Sequence, residues 1–282
     1  MPDYSKFRTE FSSWLYNKIS EETANKYISL LDNYLNGKKI KNVQELAAIY
    51  DSVEKSKNNF SKAVRNFLNF LVERDLIDEG VAIKFKRVLP LKKSKSDKQH
   101  LDNKEVKEAF EHFSKTLTYD EYLVALLLLF SGMRLRQILR ALTTFDKSKL
   151  YVVNELIARY RIDDISEGNK EGLFIYMPRW LAEKLYRVEL NENSVKEHIN
   201  YKTASGRTVS AKYIRKWLNN LMVRLKIEKD IRNFILGRVG ELQKDVEADD
   251  YIELTLHADE EYTRLLENFP IAVPSPRGRG EG

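Results

Sequence analysis

The chain has no cysteine anywhere in its 282 residues. That excludes disulfides, thiolate metal sites and cysteine nucleophiles, and it fits work in a reducing cytoplasm. Histidine is scarce as well: His100, His112, His198 and His257 are scattered without metal-ligand spacing, so no zinc site is expected. There is no Gly-rich phosphate loop and no nucleophile elbow, and Gly206 stands alone in its loop. The adjacent acids Asp163-Asp164 and Asp249-Asp250 point different ways on regular structure and give no support to a two-metal site. The one long apolar run, Tyr122 to Phe130, is about half of what a bilayer-spanning helix needs. The amino terminus lacks the basic start, apolar stretch and cleavage site of an export signal. No cofactor, metal or membrane is therefore expected.

What is present is charge and helical pattern. Lys and Arg number 48 against 42 Asp and Glu, a net charge of +6 that suits a polyanion partner without proving one. The excess is concentrated in Lys84, Lys86, Arg87, Lys92, Lys93, Lys95 and Lys98, opposed by Asp97 alone. This segment reads equally well as a solvated linker or as a linker that tracks a phosphate backbone. The length favours two domains over one core.

Apolar spacing is helical over the first part of the chain. Tyr27, Ile28, Leu30, Leu31, Tyr34 and Leu35 keep one face apolar, and Val64, Phe67, Leu68 and Leu71 repeat at i, i+3, i+4, i+7. Asn42 with Glu45 is a capping signature for a helix over Val43–Tyr50, and the bundle is expected to end near Leu76. After a linker containing Pro90, the pairs Asp102/Glu105 and Thr118/Glu121 open two more helices, the second ended by Gly132. A short helix, Leu135 to Leu142, follows. Tyr151–Val153, Ala158–Ile162 and Leu173–Met177 are rich in β-branched and aromatic residues, and the last two flank the turn-forming Ser166-Glu167-Gly168-Asn169. They predict a small antiparallel sheet inside a helical domain. Ile214, Trp217, Leu218, Leu221 and Leu225 then mark an amphipathic helix from about Ala211 to Leu225.

Several cations sit at notable places in this frame. Arg134 follows a helix-ending glycine, where an arginine is more often a helix-terminus or ion-pair residue than a ligand of anything. Lys212 and Arg215 are three apart on the amphipathic helix and border its apolar seam, a pairing that is most often a solvated face.

In order and spacing, however, these segments resemble the tyrosine site-specific recombinases, and integrases of archaeal viruses and plasmids in particular. Ser131-Gly132-Met133-Arg134-Leu135-Arg136 resembles the first arginine box of that family. Lys212-Tyr213-Ile214-Arg215 resembles the second, and Phe234-Ile235-Leu236-Gly237-Arg238-Val239 the element just upstream of the nucleophile. Lys170 sits where the family keeps its hairpin lysine, and Tyr251 falls at the nucleophile position. Two features depart from the family pattern. Lys212 replaces a histidine, and Tyr251 comes thirteen positions after Arg238, behind Asp249 and Asp250, a longer and more acidic approach than is usual. They leave open a tyrosine held off the site until DNA or a neighbouring subunit arrives.

The resemblance implies a mainly α fold: a helical core-binding domain over 1–88, a basic linker over 89–101, and over 102–270 a mostly α catalytic domain with a small antiparallel sheet. The tail, 271–282, is expected to be flexible. It implies a cytoplasmic, nucleoid-associated, metal- and ATP-independent enzyme that assembles on double-stranded DNA as a homo-oligomer, a tetramer in the synapse. Arg134, Lys170, Lys212, Arg215 and Arg238 are the implied catalytic cations and Tyr251 the nucleophile, while helix Asp259–Phe269 is a candidate for docking onto a neighbour. Three rivals stand beside this reading: a type IB-like topoisomerase, a DNA-binding regulator that has lost catalysis, and a helical protein-interaction module.

Overall fold

The structure is a computed structural model that describes residues 1–92, 99–165, 172–238 and 248–271, with the side chains of 165 and 248–251 left aside. Lys93, Lys95, Lys98, Lys170, the turn at Ser166–Asn169 and nearly all of the tail lie outside the described residues. The chain divides into two compact units, Met1–Asp97 and Lys98–Gly282.

The first unit is helical: α1 Arg8–Tyr16, α2 Glu21–Leu35, α3 Val43–Ser52, α4 Lys57–Glu73 and α5 Glu79–Lys86. Helix α2 turns Ala24, Tyr27, Ile28, Leu31 and Leu35 inward, and α4 buries seven apolar residues from Phe60 to Leu71. Rings lock the centre: Phe67 meets Tyr4 and Phe11 edge-on, each at 5.3 Å between centroids. Asn42 caps α3 as expected, accepting from the Glu45 N–H at 2.9 Å, while the Glu45 carboxylate accepts from the Lys41 N–H at 2.8 Å.

The bundle does not end near Leu76, because α5 carries it on to Lys86. Gly80 and the shortness of this helix hide its period. Its C-terminus is secured by Arg65, whose guanidinium donates to the carbonyls of Lys86 at 2.7 Å and Leu89 at 2.9 Å. Lys84 and Lys86 are therefore helical and Arg87 caps the helix, so the basic segment begins on a folded element rather than in a linker.

The second unit contains α6 Asn103–Thr116, α7 Tyr119–Ser131, α8 Leu135–Thr143, strands β1 Leu150–Val152, β2 Ile157–Arg161 and β3 Phe174–Pro178, α9 Arg179–Ala182, α10 Glu192–His198, strands β4 Asn200–Lys202 and β5 Thr208–Ser210, then α11 Ala211–Arg224, α12 Lys229–Ile235 and α13 Ala248–Leu266. Capping boxes at Asp102/Glu105 and Thr118/Glu121 open α6 and α7. Helix α7 is buried on every side from Leu123 to Ser131, which is why its sequence shows no amphipathic stripe. Around it pack α11, α12, the C-terminal half of α13 and the three-stranded antiparallel sheet, ordered β1-β2-β3 with Ala158 opposite Met177.

A second sheet, the hairpin β4-β5 with Tyr201 opposite Val209, was not expected. Its three-residue strands are too short for alternation to register. Among the described residues no helix is long and apolar enough to cross a membrane.

Candidate active site

Two chain reversals bring the site together. Helix α7 stops at Gly132, which takes the left-handed conformation at φ 60° and caps the helix by donating to the Leu128 carbonyl at 3.0 Å. Helix α12 ends the same way a residue beyond Leu236, with Gly237 at φ 59°. The two reversals are pressed together. A Cβ on Gly132 would lie 2.6 Å from Leu236 Cδ2 and 2.8 Å from Leu218 Cδ2. One on Gly237 would lie 2.6 Å from Met133 Sδ, and Met133 also lies against Gly172, at the described start of the segment leading into β3.

Gly132→Ala should therefore lower stability by about 2–4 kcal/mol, combining a left-handed alanine with overpacking. Urea unfolding measures this, and a loss under about 1 kcal/mol would mean that the two reversals can move apart.

Arg215 is the clamp between the reversals. It rises from α11 one turn after Lys212, and its Nη1 donates to the Gly132 carbonyl at 2.5 Å and the Leu236 carbonyl at 2.7 Å. Its Nη2 is buried and has no hydrogen-bond partner among the described residues. Arg134, directly beyond α7, donates through Nη1 to the Gly237 carbonyl at 3.3 Å. Burial first, then the charges of Arg134 and Arg238, push the Arg215 guanidinium down to about 9. It stays charged at neutral pH, in a place where the neighbouring charges acting on it are both positive.

A partly buried cation with an unpartnered donor and like-charged neighbours is costly in the free protein. An anion with several oxygens would relieve both penalties together.

The structure thus brings Arg134, Arg215 and Arg238 together. Lys212 is exposed, its ammonium 5.0 Å from the ring centroid of Tyr213, and it is not among the charges that shift Arg215. Arg136, the second arginine of the same sequence box, turns away to an exposed ion pair with Glu192 at 3.0 Å. The backbone of Tyr251 belongs to α13, whose side chains are described only from Ile252 onward.

The expected docking of residues 259–269 onto a neighbour needs correcting. Ala258, Tyr262, Leu265 and Phe269 are buried in this unit's own core, with Tyr262 Oη donating to the Phe130 carbonyl at 3.0 Å. That apolar face is occupied within the chain. Sequence reasoning missed the carbonyls of Gly132, Leu236 and Gly237, since backbone acceptors carry no residue signature. The positive-φ glycines beside two of the arginines were the available signal.

Comparison with known proteins fits this geometry. No curated protein sequence matches the chain. Among solved structures, the lambda integrase tetramer bound to a Holliday junction superposes with a TM-score of 0.59 at 13% identity, covering 86% of this chain and 79% of that one. The XerH site-specific recombinase bound to difH, in its pre-cleavage complex, gives 0.53 at 14% identity over 94% and 93%. At such identities the likeness is one of fold, and it spans both units of the chain. The family model for archaeal phage integrases matches residues 98–268, which is more than half of the sequence and includes every arginine of the cluster. The chain belongs to the archaeal phage integrase family, and its fold is similar to that of the lambda integrase and XerH structures.

Proposed function

We propose that the chain is a site-specific DNA recombinase that cuts and rejoins DNA through a 3′-phosphotyrosine, integrating or excising a mobile element. The observation that carries this reading is the Arg134–Arg215–Arg238 cluster, where a charged guanidinium with an unpartnered N–H is surrounded by like charge.

A phosphodiester resists attack because its charge repels nucleophiles and its leaving alkoxide is a strong base. Guanidinium groups on the non-bridging oxygens offset the charge that grows as phosphorus becomes five-coordinate. Arg134 and Arg215 take that role, and Lys212 and Arg238 orient and neutralise the same phosphate. Tyr251 forms the bond to phosphorus, losing its phenolic proton to solvent, and the bond to the 5′ oxygen breaks. Lys170 gives its proton to that oxygen. Its position two residues before Gly172, which packs on Met133 and close to Gly237, supports the assignment. The bond energy stays in the protein–DNA linkage, so rejoining needs no ATP.

Double-stranded DNA is the partner, gripped through the basic run Lys84, Lys86, Arg87, Lys92, Lys93, Lys95 and Lys98. The lambda integrase and XerH structures hold DNA, and the former is a tetramer. These support a tetrameric synapse here.

The test begins with a duplex selected for binding from a random-sequence pool and nicked near its centre. A covalent adduct is expected on a denaturing gel, followed by exchange of arms between two differently labelled duplexes. Adduct without exchange would move the reading to a type IB-like topoisomerase. Tight binding without adduct would move it to a regulator.

A further inference from the structure

Helix α13 is unevenly anchored. Ile252 and Leu256 are 63% and 60% exposed, and Glu253 and His257 are exposed as well, so buried side chains begin only at Ala258. Between the exposed half and the sheet lies a cleft of about 600 Å³, lined among others by Tyr151, Phe174, Ile252 and Leu256. Where burial begins, the seam is not apolar. Asp259 is 8% exposed and forms an ion pair with Arg159 of β2, through Nη1 to Oδ2. The Arg159 guanidinium lies 4.8 Å from the centroid of the Phe174 ring, and Tyr176 of β3 sits beside both charges.

This pair is poorly built as a device for stability. Arg159 Nε is buried without a hydrogen-bond partner among the described residues, and Tyr176 Oη lies against the Asp259 carboxylate without a well-directed hydrogen bond to it. Burial, and secondarily the Asp259 charge, push the ionisation of Tyr176 upward, so it stays a neutral phenol. Desolvating two charges and leaving their remaining sites unsatisfied is costly, and apolar side chains of similar volume would hold helix to strand at least as well. An apolar seam, however, slides and rotates. An ion pair adds a directional tie, placed nearer to Tyr251 in sequence than the Tyr262 Oη–Phe130 carbonyl and Asn154 Nδ2–Thr263 Oγ1 hydrogen bonds of the same helix.

We propose that Arg159 and Asp259 are positioning residues that set the register of α13 against the sheet, and thereby the place from which Tyr251 attacks. Asp259 lies eight residues after Tyr251, about 12 Å along a helix. A rotation at the pin is carried toward Tyr251 past Leu254, which is half-buried against the core. The inference rests on Tyr251 being the nucleophile, as proposed above.

The decisive variant is the double replacement Arg159→Met with Asp259→Leu, which keeps volume and removes the pair. It should melt no lower than the parent and bind the selected nicked duplex within about twofold. Its single-turnover rate of adduct formation should nevertheless fall at least tenfold. A 5′-bridging phosphorothiolate, whose leaving group needs no proton, should not restore that rate, because the defect lies in the attacking group. Arg159→Lys supplies one N–H to one carboxylate oxygen, as the native pair does, and should cleave within about threefold of the parent.

A double variant that cleaves within twofold of the parent overturns the proposal. If that variant fails to fold, Asp259→Asn replaces it, with the same thresholds for binding and cleavage. Tyr251→Phe, run beside these, separates the two levels: an adduct in that variant removes the nucleophile assignment, whereas its absence together with full activity of the double variant removes only the pin.

Discussion

Tyr251→Phe is expected to bind the selected duplex with the affinity of the parent and to form no covalent adduct with it. The substitution deletes the one oxygen that would join phosphorus and leaves the cluster of Arg134, Arg215 and Arg238 in place. Loss of a nucleophile that acts within a coupled set of groups lowers turnover by on the order of 10⁴-fold or more. On a denaturing gel that is complete loss of the adduct band. Tyr262→Phe provides the contrast. Its hydroxyl is buried and donates to the Phe130 carbonyl at 3.0 Å, so its removal leaves a buried acceptor unsatisfied and costs about 1–3 kcal/mol of stability. It should leave adduct formation intact. The reverse pattern, adduct in Tyr251→Phe and none in a folded Tyr262→Phe, would exchange the two assignments.

Arg215→Ala is expected to slow single-turnover cleavage by about 10³-fold, the upper range for removing one donor that faces developing charge. Its effect on folding should be small, within about 1 kcal/mol, because two opposing terms change together. The variant loses hydrogen bonds to the Gly132 and Leu236 carbonyls, each worth roughly 1 kcal/mol. It also loses a desolvated charge that Arg134 and Arg238 repel. Arg215→Lys should cleave almost as poorly, since one ammonium cannot bridge both carbonyls and still offer a planar pair of donors to a phosphate.

Sulfate separates this account from a purely structural one. By filling the cationic pocket it should raise the melting temperature of the parent in proportion to the logarithm of its concentration above Kd, and it should leave that of Arg215→Ala unmoved. Equal shifts in both proteins would place the anion site elsewhere.

Local rules carried much of the fold into view. The capping pairs Asn42/Glu45, Asp102/Glu105 and Thr118/Glu121 all start helices where their spacing says they should, because each cap is decided within four residues. The three strands of the first sheet fell within a residue of their predicted spans. Hairpin β4-β5 was invisible, since it is held by long-range contacts such as Arg207 and Ser205 on the carboxylate of Glu105, roughly a hundred residues earlier in the chain. Helix α5 was lost to its shortness and its glycine.

The same division runs through the site. Arg134, Arg215 and Arg238 stood out through short ordered boxes. What holds Arg215 could not, because its partners are carbonyls that any residue supplies. Nor could the pairing of Arg159 with Asp259 be read, since nothing local links a strand arginine to an acid a hundred positions later. Lys212 illustrates a further limit. Spacing puts it on the same side as Arg215, yet only the packed structure shows that Arg215 is drawn inward while Lys212 stays exposed.

The clamp at Arg215 also bears on how the chain is made. Its two acceptors come from opposite sides of it in synthesis, Gly132 long before and Leu236 twenty-one residues after. The clamp therefore cannot exist on a ribosome-bound chain until α12 has emerged and docked, and Tyr251 follows later still. On the proposed function, a half-made chain that met DNA through its earlier cations would lack the means to break it, because the cluster and Tyr251 come last.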